Sequence, residues 1–264
     1  MLAACCLLVM GFMWLRLWIV AQIDLDEATP FIAEILPEFI KRMLPVPLEI
    51  LTTLDGRAAF GFEELPTLLL MALWTVARGT ECLAGRLGDG TMEMLLAQPV
   101  RRLTLITSHT GVTILGVLLI GAFAWIGTAL GLTTVGFDQP SAATNFLPAA
   151  VNYCCFGGGL IGAATFTSAL ARSRGQAVGF FIAFYVVEFT CKIFALTLPA
   201  QVWLKWLTFM TAYEPTLLTI GLLQDPEQYG PLFWQYNVLL IGLGAAALVI
   251  AATMFCHRDI PAPL

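Results

Sequence analysis

The sequence predicts an all-α membrane protein with six transmembrane helices and both termini in the cytoplasm. Three observations carry that expectation. Of 264 residues, 59% are hydrophobic and only 12% charged, whereas a soluble domain holds about 25% charged residues. A chain this apolar does not cover its surface with polar groups. The apolar residues also fall in long runs, the pattern expected when lipid is the solvent. Finally, the few basic residues are shared unequally between the connections, which sets the orientation.

Each run is judged against the roughly 20 residues needed to cross the hydrocarbon core. The runs cover 2–23, 59–77, 103–132, 146–171, 177–198 and 232–255, and together make a single transmembrane domain over 1–264. The first has no basic leader, is too long for the apolar stretch of a signal peptide, and contains Trp14, Arg16 and Trp18. It therefore reads as a retained span. The second is the weakest, because its uninterrupted part is only 65–77 and Glu63 and Glu64 crowd its outer end. Arg78, Arg86, Arg101, Arg102, Arg172, Arg174 and Arg258 fall on one side of this arrangement, and Lys41, Arg42, Arg57 and Lys205 on the other. The richer side is assigned to the cytoplasm, and both termini with it. Trp234 and Tyr236 then open the sixth span at the outer interface.

Two outer segments are expected to hold interfacial helices. Within 31–44, Phe31, Ile35, Phe39 and Met43 recur at helical spacing, with Glu34, Glu38, Lys41 and Arg42 on other faces. That is the pattern of an amphipathic helix lying on the membrane or the bundle. Residues 198–231, with Trp203, Trp206 and Tyr213-Glu214-Pro215, are too polar to span and too apolar to float free.

Several chemistries are missing. No Lys/Arg-rich tract suggests nucleic acid. Cys5, Cys6, Cys82, Cys154, Cys155, Cys191 and Cys256 are odd in number, contain no Cys-x-x-Cys and avoid the outer segments, so they read as small apolar residues rather than a disulfide framework. There is no Gly-x4-Gly-Lys-Ser/Thr phosphate loop to bind ATP and no Gly-x-Ser-x-Gly elbow. His109 and His257 end different spans, with only Asp259 near either at ligand spacing, so no metal site is expected. Glu63-Glu64 resembles the paired glutamates of membrane-embedded metalloproteases, but no arginine follows at the needed spacing and no histidine shares that side. No catalytic residue and no cofactor is expected.

Three charges lie inside spans. Glu188 and Lys192, four residues apart in the fifth, share a helix face with the acid N-terminal, the favourable order for an ion pair. They are expected to partner each other; a role in substrate or proton passage is the alternative. Arg16 lies about 22 Å along the first span at 1.5 Å per residue. There it reaches the outer interface or an outer carboxylate. Gly127-x3-Gly131 and Gly158-x3-Gly162 permit close helix approach.

The 78–102 connection carries the most information. Gly88 and Gly90 flank Asp89 in a turn, after which Thr91 or Asp89 caps a short helix over 92–97. Glu93 suits its first turn, and Pro99 limits it. Met92, Met94, Leu95 and Leu96 make this helix apolar over much of its surface. From the residues alone, it either lies flat in the headgroups or plugs into a groove on a partner protein.

The stretch Gly90-Thr91-Met92-Glu93-Met94-Leu95-Leu96-Ala97-Gln98-Pro99-Val100-Arg101-Arg102, preceded by Glu81, resembles the signature of type-2 ABC transporter permeases. Those proteins carry a Glu, then Gly-Thr-Leu-Glu-x-Leu-Leu ending in Pro-Val-Ser-Arg, after their second span. Glu81, Gly90, Thr91, Glu93, Leu95, Leu96, Pro99 and Arg102 match that pattern. Met92 replaces the usual Leu, Arg101 the usual Ser, and Arg86 stands where members usually have a glutamate. Many members also carry a basic amphipathic helix before the first span, whereas this chain opens directly in it. The ending from Arg258 to Pro263 resembles, more weakly, the tail of some bacterial permeases.

The resemblance implies an export permease subunit in the bacterial cytoplasmic membrane that binds no ATP itself. It implies a cytoplasmic ABC ATPase subunit that binds and hydrolyses the ATP, and a second permease copy that completes the pore. The 81–102 loop would contact that ATPase and transmit its closure to the spans. The rival readings are a membrane anchor or assembly factor that recruits a partner without transport, and a membrane enzyme. Nothing in the spans points to an ion, lipid, peptide or drug as substrate.

Overall fold

Among the described residues, six helices are long and apolar enough to cross a membrane, one for each predicted run. The structure is a computed structural model that describes residues 1–22, 34–35, 37–98, 101–137 and 141–257. Helix α1 (Leu2–Ala21) is the first span. Three short helices follow, α2 (Glu38–Lys41), α3 (Leu48–Leu51) and α4 (Leu54–Phe60). The second span is α5 (Leu65–Thr80), the connection carries α6 (Thr91–Leu96), and the third span is α7 (Arg102–Thr134). A 3-10 turn (Ala143–Phe146) leads into α8 (Leu147–Leu170), and α9 (Arg174–Thr197) is the fifth span. Two 3-10 segments (Pro199–Trp206 and Phe209–Ala212) and α10 (Pro215–Gln224) precede the last span, α11 (Pro226–His257).

The local signals that start these helices are ordinary. Prolines open α5, α8, α10 and α11, where the missing N–H forfeits no helical bond. Thr53 Oγ1 accepts from Gly56 N at 3.1 Å to cap α4, and Ser173 Oγ accepts from Gln176 N to cap α9. Hydroxyls within the spans turn onto their own helices: Thr75 donates to Met71 O, Thr113 to His109 O and Thr128 to Ala124 O. That satisfies each group where no water is available.

Helix α8 is the hub. In its spanning window 67% of residues are buried, against 11% for α9. Its most extensive partner is α11, and glycine explains how close the two come. A Cβ on Gly162 would stand 2.3 Å from the carbonyl oxygen of Gly244, and one on Gly244 would stand 2.6 Å from that of Gly158. Helices α1 and α7 meet similarly, with Gly127 against the backbone of Met10. Gly116 of α7 makes room for the Trp74 ring, whose Nε1 donates to Thr113 O at 3.0 Å. Tyr153, Phe156, Phe62 and Met71 fill the centre between α8 and the entry to α5.

Alternating passes gather the connections on two faces. One face, here the arginine face, carries the start of α1, residues 89–98 and 101 of the connection, the 171–173 turn and the end of α11. The opposite, carboxylate face carries the described residues of 22–64 and of 135–146, together with 198–225.

Three expectations are corrected. The 78–102 segment is not a loop from Arg78 onward: α5 runs on through a π-helical turn (Glu81–Gly85) and a last turn (Arg86–Gly88). The second span is thus far longer than its 13-residue apolar run. The amphipathic helix predicted over 31–44 is broken by Pro37, with α2 after it and Ile35, Phe39 and Met43 exposed; its start, 31–33, and residue 36 lie outside the described residues. Glu188 and Lys192 do not partner each other, for reasons given below.

Candidate functional site

The π turn is where the connection begins to be built. Widening a helix by one residue leaves backbone amides out of register with their usual acceptors. Ser168 of α8 supplies the missing partner. Its Oγ accepts from Leu83 N and Ala84 N at 3.3 and 2.9 Å, and its hydroxyl donates to Thr80 O at 3.0 Å. Glu81 leaves this turn sideways and meets Arg174, at the start of α9, at 3.1 Å. Arg174 also donates to Ala77 O. A Cβ on Gly85 would sit 2.8 Å from the Glu81 carboxylate, so the glycine clears space for the acid to turn.

The chain then reverses. Gly90 adopts φ +71, a left-handed conformation that suits glycine. Thr91 Oγ1 donates to Arg86 O at 3.3 Å, tying the start of α6 back to the end of the second span. Met92 is buried, 1% exposed, among Cys82, Leu83, Ile106, Ala169, Ala251 and Phe255. Met94, on the other side of α6, is 66% exposed. Leu95 is half-buried; Glu93 and Leu96 lie in the helix; Pro99 lies outside the described residues. Arg102 opens α7 and donates to Phe255 O and Cys256 O at 3.2 and 3.4 Å, with its guanidinium 5.7 Å from the Phe255 ring centre. A cation on the last carbonyls of α11 suits that helix end.

The loop residues therefore come together as one unit. Met92 anchors α6 to the bundle, Glu81 ties the end of the second span to α9, and Arg102 ties the start of α7 to α11. The outward side is apolar at Met94.

The intramembrane charges lie at the other end. Arg16 Nε meets Glu64 Oε1 at 2.6 Å, and its guanidinium also donates to Arg57 O. Lys192 reaches past Glu188 to Glu214 Oε1 at 2.8 Å and Tyr213 O at 3.0 Å. Glu188 instead accepts from Phe209 N at 3.0 Å. Both side chains thus serve the 198–225 segment, which turns inward as Tyr213-Glu214. Asn152 of α8 donates to Ala212 O and to Asn237 Oδ1 of α11, and accepts from Glu214 N. Glu63 accepts from Thr216 N at 3.0 Å. Tyr213 stacks on Phe156 with ring centres 4.3 Å apart and donates to Phe62 O. Burial pushes the Tyr213 phenol well above its usual range, so it stays a neutral donor.

Sequence reasoning passed over Ser168, Asn152 and Asn237, and named Glu214 only as part of an interfacial segment. The signal available was that Asn152, Ser168 and Asn237 are polar groups inside apolar runs. Among the described residues no cluster of His, Cys, Asp and Glu is arranged to hold a metal ion.

A protein-family model described as ABC-2 family transporter protein matches residues 14–260. The chain belongs to this family. It is a multi-pass membrane protein and a permease subunit of an ABC transporter, and the 81–102 unit lies wholly inside the matched region. No curated protein and no solved structure matches the chain.

Proposed function

We propose that this permease is the membrane part of an ATP-driven exporter in a bacterial cytoplasmic membrane. A separate ABC ATPase docks on the arginine face, and a second permease copy completes the pathway. The observation that carries this reading is the build of the 81–102 unit within a family match over 14–260. An exposed apolar residue, Met94, stands on a six-residue helix whose buried side, Met92, is fixed in the bundle. Ties at Glu81, in the turn that ends the second span, and at Arg102, which opens α7, run from either side of that helix to α9 and α11. A protein pressing on α6 therefore acts on four spans at once, since α6 itself joins α5 to α7. The bias of arginines toward this face supports its placement in the cytoplasm.

Photocrosslinking from position 94 in native membranes tests the docking. The expected product is an adduct with an ATP-binding subunit. Labelling by lipid alone would mean that α6 lies in the headgroups and would overturn the proposal. An adduct accompanied by no substrate movement into inverted vesicles would favour an anchor without transport.

A further inference from the structure

On the arginine face, where the second and third spans meet, several buried side-chain polar atoms make no hydrogen bond. Register brings them together. Trp74 Nε1 donates to Thr113 O, and Thr113 Oγ1 donates to His109 O. Because α5 and α7 run antiparallel, the next turn after Trp74 brings Arg78 to the level of His109. Arg78 lies over the Trp74 ring, 5.9 Å from its centre, yet its Nε is buried and donates to nothing. His109 is 6% exposed and its Nε2 is also buried without a partner, as is Thr110 Oγ1. Arg86 follows about two turns further along the continuous helix from Arg78, and is half-buried. Glu81, the nearby acid on the same helix, is turned away to Arg174, and among the described residues neither arginine has a carboxylate partner.

Buried polar groups are nearly always paired. The Arg78 Nε, an imidazole nitrogen and a hydroxyl left over on the facing turns of α5 and α7, with the half-buried Arg86 beyond them, are therefore complementary to something outside the chain, and the arginine charge makes it an anion. His109 lies seven residues into α7, about 10 Å from its start at 1.5 Å per residue, close to headgroup depth. Planar guanidinium forks match phosphate oxygens in pairs, and phosphate is the anion that membranes present at this level. We propose that Arg78, Arg86, His109 and Thr110 form a phosphate-binding site between the second and third spans, taking the phosphate of an anionic lipid headgroup or a free phosphate ion. The site is independent of whether the chain transports anything.

The test measures the unfolding midpoint of the purified chain in nanodiscs. One arm compares phosphatidylcholine with a phosphatidylcholine–phosphatidylglycerol mixture. The other adds inorganic phosphate to phosphatidylcholine discs, against chloride at equal ionic strength. The expected result is an upward shift in one arm, which identifies the source, and its loss in Arg78→Gln/Arg86→Gln. Arg86→Gln alone, at a half-buried position, is expected to weaken the shift if the double variant fails to fold. Arg172→Gln, an exposed arginine on the same face, is expected to keep it. No shift in either arm overturns the proposal. So does a shift that survives in Arg86→Gln, or one that Arg172→Gln abolishes equally.

Discussion

Lys192 shows how a membrane-embedded charge is stabilised by sequence-distant groups. Its side chain is 17% exposed, and the ammonium is held between the Glu214 carboxylate and the Tyr213 carbonyl. Truncating one partner of such a pair leaves the other charge buried and unpaired, at about 3–5 kcal/mol. Lys192→Met is therefore expected to lower the unfolding midpoint sharply in detergent, and Lys192→Met/Glu214→Gln to recover much of the loss. A double-mutant cycle between Lys192 and Glu188 is expected to give little coupling, because Glu188 serves Phe209 N instead. The reverse ranking of the two cycles would refute this assignment of partners. Ser168 is the uncharged counterpart. Ser168→Ala strands two buried amides and a carbonyl, and each orphaned group costs about 1–3 kcal/mol. A drop in midpoint is expected, along with faster amide hydrogen exchange at Leu83 and Ala84. Unchanged exchange there would mean that the π turn holds itself.

At the scale of elements, the glycines of α8 separate packing from mere smallness. Gly158 and Gly162 sit one turn apart, but a Cβ on Gly158 would meet nothing within 4 Å while one on Gly162 would strike the backbone of Gly244. Gly158→Ala is expected to fold like the native chain. Gly162→Ala must push α11 away, and overpacking of this kind costs about 1–3 kcal/mol. Equal midpoints for the two variants would contradict the close α8–α11 contact. The Gly-x3-Gly spacing was visible in the sequence, but which glycine carries the contact was not, since that depends on the face α11 occupies. The same division holds elsewhere. The six spans were legible because solvent choice is written in composition. Residues 90–102 were legible because a polar interruption with a left-handed glycine stands out between apolar runs. The helical path from Arg78 to Gly88 was not, because its polar residues read as a loop and the hydroxyl that keeps it helical lies on α8. Likewise Glu188-Lys192 spacing is local information, and Glu214 is twenty-two residues beyond Lys192 in sequence.

At the scale of the molecule, the question is how force from an ATPase on the arginine face would reach the spans. Two ties leave the 81–102 unit, and they differ in kind. Arg102 grips the end of α11 through carbonyls and a ring, so its loss would disturb packing as well as linkage. The Glu81–Arg174 pair is open to water, with side chains 31% and 53% exposed; an exposed pair contributes about 0–1 kcal/mol. It is therefore dispensable for folding, yet it joins the end of the second span to the start of the fifth. Glu81→Gln and Arg174→Gln are each expected to leave the midpoint and ATPase recruitment nearly unchanged while reducing transport per ATP hydrolysed. The charge-reversed pair Glu81→Arg/Arg174→Glu is expected to restore part of that ratio. Transport assayed in inverted vesicles alongside phosphate release gives the coupling directly. If both single variants transport with native stoichiometry, the pair plays no part in transmission and Arg102 is left as the route to examine.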